Sequence, residues 1–83
     1  MKISKVQRKI ILRMREGWEL GQEMGFHSSH WLQKKGIGKG GESLDVRVDT
    51  VHALFKRKLI QTKSQDYPIR KYELTEKGRE IEI

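Results

Sequence analysis

Cysteine is absent, which removes disulfides and thiolate metal sites and fits a reducing compartment. Long apolar runs are absent as well. Nowhere do about 18 apolar residues follow one another, and the basic N-terminus lacks an apolar stretch of signal-peptide length. A soluble, cytoplasmic chain that does not enter a membrane is therefore expected. Aromatic residues are few, 2 Trp, 2 Tyr and 2 Phe. Trp18 and Trp31 are accordingly expected to fill the core rather than to stack on unpaired bases. No serine or histidine falls in a pattern that supports nucleophilic catalysis, and the glutamates are scattered over polar faces. Neither enzymatic activity nor a small-molecule substrate is expected. His27 and His30 have a spacing compatible with metal, but no third ligand accompanies them, so no metal and no cofactor is expected. With no internal repeat, heptad pattern or linker, residues 1–83 form one domain.

What the chain has in quantity is positive charge. Its 83 residues hold 18 Lys and Arg against 11 Asp and Glu, a net charge of +7 and a pI near 9.9. A chain of this size buries only about 60–65% of its unfolded surface, which disfavours a large active-site cleft. Its charge favours a polyanionic partner, nucleic acid before an anionic membrane. Residues 1–15 carry Lys2, Lys5, Arg8, Lys9, Arg13 and Arg15 with no acid. Residues 56–71 carry Lys56, Arg57, Lys58, Lys63, Arg70 and Lys71 against Asp66 alone. Both stretches are candidate contact surfaces, whereas the glutamate-rich C-terminus is expected to face away from a polyanion.

Along the chain, Ser4 and Gln7 fit a capping box, and Ile3, Val6, Ile10, Ile11 and Met14 share one helical side. A first helix is expected from Lys5 to about Arg15, ended by Gly17, with Lys5, Arg8, Lys9 and Arg15 on a solvated outer face. From Trp18 to Lys35 an alternating pattern around the turn at residues 25–29 predicts a β-hairpin, with a short irregular helix as the alternative. Gly36-Ile37-Gly38-Lys39-Gly40-Gly41 satisfies G-x-G-x-x-G. It leads into a short strand instead of opening a helix, and the chain is too short for a dinucleotide-binding domain, so residues 36–43 read as a flexible glycine-rich loop. Leu44, Val46 and Val48 alternate as a short strand. Asp49 to about Lys58 is a second helix, with Val51, Leu54, Phe55 and Leu59 toward the core and Asp49 as its N-cap. His52 lies at the border of its two faces, where a neutral packing role is expected. Residues 59–63 and 69–74 form a returning strand pair, in which Ile60 and Thr62 share a face with Tyr72 and Leu74. Thr75 caps a terminal helix from Glu76 to about Glu80.

The order helix, sheet segment, helix, strand pair, short helix is that of a winged helix. The run TVHALFKRKLI, the basic strand pair after it and YELTEKGRE together resemble the recognition helix, wing and closing segment of small bacterial and phage winged helix-turn-helix proteins. The resemblance covers residues 46–79 and is loose over residues 18–45. It implies an α+β, winged-helix-like fold: first helix, β-hairpin, recognition helix, two-stranded wing and short C-terminal helix. It further implies double-stranded DNA binding by a small transcriptional regulator or phage accessory protein. Carried over by position, Thr50, Ala53, Lys56 and Arg57 would face the major groove, with Arg47 at the helix entrance. Lys63, Arg70 and Lys71 would meet phosphates from the wing. A homodimer is the expected form, since one small module rarely supplies enough specific contacts. The alternative is a winged-helix protein-interaction module that adds a strand from its partner without binding DNA.

Overall fold

The computed structural model describes residues 2–25 and 29–83. Its elements in chain order are α1 (Lys5–Arg15), β1 (Glu19–Glu23), β2 (Ser29–Gln33), β3 (Ser43–Val46), α2 (Val48–Lys56), β4 (Ile60–Ser64), β5 (Ile69–Leu74) and α3 (Glu76–Glu80).

Local chemistry explains where the helices begin and end. The Ser4 hydroxyl accepts from the Gln7 amide at 3.1 Å, which supplies α1 with its first missing acceptor. Gly17, at φ +102°, turns the chain out of α1: its amide bonds to Met14 O and that of Trp18 bonds back to Arg13 O at 3.0 Å. The same two-bond ending closes α2, where Lys58 at φ +61° takes the left-handed position and Leu59 N bonds to Leu54 O at 3.0 Å. A lysine there gives up the ease that glycine has in this conformation. α2 starts at Arg47 without a side-chain cap, so Asp49 lies in its first turn instead of capping it.

The five strands form one antiparallel sheet in the order β3, β2, β1, β5, β4. Register decides which side chains share a face, because directly opposed residues in antiparallel strands point the same way. Leu44, Leu32, Leu20, Tyr72 and Thr62 make one such row across all five strands. α1 supplies Ile10, Ile11 and Met14 to this side and α2 supplies Val51 and Leu54. With Trp18, Leu59, Ile60 and Leu74 they form a single core cluster. α3 closes one end, its buried Gly78 lying against Leu59 and Leu74. The opposite face of the sheet carries Glu19, Gly21, Trp31, Lys63 and Lys71. Among the described residues, no helix is long and apolar enough to cross a membrane.

This architecture overturns the winged-helix-like expectation. The chain is a β-rich α+β protein built on a five-stranded antiparallel sheet, and among the described residues no helix-turn-helix pair presents a recognition helix. The physical reason lies in β2 and β3, which occupy the stretch where a second helix would have to precede α2. Their pairing places β1 at the centre of the sheet, hydrogen-bonded to β5. Residues 60–74 are therefore two strands of a larger sheet and not a projecting wing. α2 packs on β2, β4 and α1 and is not held out by a preceding helix.

Candidate nucleic-acid interface

The eight residues expected to meet DNA do not form one surface. On α2, Thr50, Ala53 and Arg57 fall on the flank beside α1 and are half-buried. Arg57 is engaged there: its Nη1 donates to Lys2 O at 2.7 Å and to Gln7 Oε1 at 3.2 Å, tying the end of α2 to the start of α1. The exposed side of α2 carries Asp49, His52, Phe55 and Lys56 instead. Phe55 is 50% exposed and meets Tyr72 edge-on at 6.3 Å between ring centroids, so it is not the core residue its helical phase suggested. Arg47 is exposed and lies 3.9 Å from the Asp49 carboxylate.

Arg70 and Lys71 are neighbours on β5 and so point to opposite faces of the sheet. Arg70 is on the helix side. Lys71 and Lys63 are on the other, where both meet Glu19, Lys63 Nζ at 3.3 Å and Lys71 Nζ at 4.0 Å. Glu19 also accepts from the Ile37 backbone amide at 2.9 Å. Through that bond the β2–β3 loop folds back over the sheet, where Ile37 and Trp31 crowd Gly21. A Cβ on Gly21 would stand 2.6 Å from Ile37 Cδ1 and 3.3 Å from the Trp31 ring. Trp31 is thus on the far face of the sheet from Trp18, outside the helix-side core. His27 lies outside the described residues.

Glu19 is the electrostatic hub of this face. Burial pushes its pKa up, but the Ile37 amide, Lys63 and Lys71 together outweigh burial and leave it below the ordinary 4.5. A carboxylate with a depressed pKa stabilises the fold above its unfolded-state value and loses that contribution as pH falls through the folded value. Glu19→Gln is therefore expected to cost about 1–2 kcal/mol at neutral pH. The difference should shrink as pH falls from neutral through the depressed folded value, where the native carboxylate is itself protonated. Urea unfolding of both chains over a series of falling pH values measures this.

Three cations whose outer-face position was read as mere solvation have no internal obligation among the described residues, as is also true of Lys34, Lys35, Lys39, Lys56, Lys58 and Arg79. Lys5, Arg8 and Lys9 are exposed on α1 and form no ion pair among the described residues. Together with Leu12, Arg13 and Glu16 they line a groove along the outer side of the helix. Arg13 differs, since it reaches Glu16 at 3.4 Å and its guanidinium stands 5.2 Å from the Trp18 ring centroid. Arg15 is also engaged, donating to Gly78 O at 3.2 Å and Ile81 O at 2.6 Å. The first turn of α1 contains no acidic residue. Cations at this end oppose the helix dipole and forgo about 0.3–1 kcal/mol each relative to carboxylates. The acid-free run of residues 1–15 was the signal for this surface.

No protein-family model matches the chain, and no curated protein or solved structure is significantly similar to it.

Proposed function

We propose that the chain binds double-stranded DNA by its phosphate backbone, with Lys5, Arg8 and Lys9 of α1 and Lys56 of α2 as the principal contacts. The observation that carries this reading is the first turn of α1, which holds Lys5 and Arg8 and no acid at the positive end of the dipole. Such an arrangement costs helix stability and makes physical sense when an external polyanion repays it. The net charge of +7 supports the same partner. The long axis of the molecule, 34 Å, matches about one turn of duplex, so one copy spans one half-site and the expected homodimer would span two.

Strand addition by a protein partner has less to support it. The free edges of the sheet are β3 and β4. β3 is only 4 residues long, and β4 carries Lys63 at an irregularity between Thr62 and Ser64. Short edges, bulges and edge lysines are the features that discourage pairing with another chain.

Fluorescence anisotropy of a labelled duplex at a series of salt concentrations tests the proposal. Four phosphate contacts predict a slope of log K against log salt of about −3.6. Absence of binding at low salt would remove DNA as the partner.

A further inference from the structure

One row next to the core on the helix side of the sheet is polar. Arg70, Gln22, His30 and Val46 are successive cross-strand partners on β5, β1, β2 and β3. They share the face of Leu20 and Tyr72, two residues along the same strands. The Oε1 of Gln22 accepts from the Tyr72 hydroxyl at 3.1 Å, which leaves the amide NH2 as a donor. Arg70 is half-buried, and its Nε is shielded from solvent with no hydrogen-bond partner. No carboxylate among the described residues pairs with it.

α2 passes over this row. It brings His52, with Lys56 one turn on and Asp49 one turn back toward Arg47. His30 is 5% exposed. Its pKa is held below the ordinary 6.5 first by burial and then by the positive charge of His52 and Arg70. Glu19, Glu23 and Asp45, on the neighbouring strands, alternate onto the opposite face of the sheet. A guanidinium, an amide donor and two imidazoles therefore lie together, and the carboxylate on α2 beside them, that of Asp49, is turned to Arg47. Of these, His30 and the Arg70 Nε are buried, and a buried donor such as that Nε is rarely left unpaired unless something completes it.

We propose that Arg70, Gln22, His30 and His52 form an oxyanion site that takes a phosphate group. The guanidinium supplies a planar pair of donors, the Gln22 amide a third, and the histidines further donors once protonated. An anion seated there would raise the affinity of His30 for its proton, so binding and protonation reinforce each other. The site is independent of DNA binding through α1. It serves equally for a backbone phosphate or for a small phosphorylated ligand, whose chemistry is the same.

The test is an NMR titration of the folded chain with inorganic phosphate at about pH 6, following the imidazole resonances. Chloride at matched ionic strength is the control. Saturable shifts of His30 and His52 with phosphate alone are expected. Affinity should be about tenfold weaker in Arg70→Gln, whose amide spectrum reports whether it remains folded. His52→Ala, at an exposed position, should weaken phosphate several-fold and covers the case in which the Arg70 variant unfolds. A short duplex that produces the same imidazole shifts assigns the phosphate to nucleic acid, and a duplex that leaves them unmoved assigns it to a small ligand. Phosphate shifts no larger than those from chloride would overturn the proposal, as would native affinity in a folded Arg70→Gln.

Discussion

Gly78→Ala is expected to destabilise the protein by about 2–3 kcal/mol, although alanine is the better helix former by roughly 1 kcal/mol. Gly78 is buried within α3, and a Cβ placed on it would collide with the carbonyl oxygen of Leu59. It would also stand 3.1 Å from the Leu59 carbonyl carbon and 3.2 Å from Leu74 Cδ2. The Leu59 carbonyl is backbone and cannot withdraw cheaply. The Leu59 oxygen accepts from the Thr75 amide at 3.1 Å, and the Leu59 amide closes α2 on Leu54 O at 3.0 Å. Moving Leu59 would disturb the end of α2 and the entry to β4 together, and moving α3 would loosen the Thr75 cap. In a domain of this size the change corresponds to a fall in melting temperature of roughly 10 °C or more. Denaturant unfolding of the two chains measures it, and an alanine variant as stable as the native chain would refute the close packing of α3 on Leu59.

Features decided by near neighbours in sequence could be read from the sequence, and features decided by distant ones could not. The extent of α1 follows from the Ser4–Gln7 spacing and the period of Ile10, Ile11 and Met14, all within a few turns. The alternation of Leu20 and Gln22 with Glu19, Gly21 and Glu23, and the extended pattern of residues 30–33, mark strands on either side of a turn. Nothing in that alternation says that Leu20 opposes Tyr72, more than fifty positions later, because period-two patterning gives a strand its faces and not its partner. The winged-helix expectation failed at that pairing, since it treated residues 60–74 as a free-standing wing.

The candidate interface divides in the same way. The period of α2 separates Val51 and Leu54 from its polar residues, but which polar flank is free depends on where α1 lies. Thr50, Ala53 and Arg57 are on the flank that α1 covers, so Arg57 reaches Lys2 O and Gln7 Oε1. Lys63 and Lys71 looked like free cations because Glu19, their partner, lies some forty to fifty residues earlier. Conversely, the acid-free stretch of α1 was visible in composition alone. Its meaning emerged only once Arg57, Lys63 and Lys71 were found to be engaged elsewhere.

Reversing the charge of that stretch is expected to have the largest effect on binding. Lys5→Glu/Arg8→Glu/Lys9→Glu removes three phosphate contacts and places three carboxylates where the phosphates would lie. From counterion release alone, affinity for duplex DNA should fall by roughly a hundredfold or more at about 50 mM salt, and the salt slope should shallow by about 2.7. The fold should not suffer. None of the three side chains has an internal ion-pair partner among the described residues, and carboxylates near the start of α1 suit its dipole. Lys63→Ala/Lys71→Ala is the matched control. Those two cations already share Glu19, so their removal should change affinity less than about threefold.

The most direct test of a DNA-binding surface on α1 is therefore the salt-dependent anisotropy titration of the native chain beside these two variants. The account predicts that the α1 reversal abolishes most binding and most of the slope, while the β4–β5 variant stays close to native. Equal binding by the α1 reversal, or a larger loss in the β4–β5 variant, would contradict it.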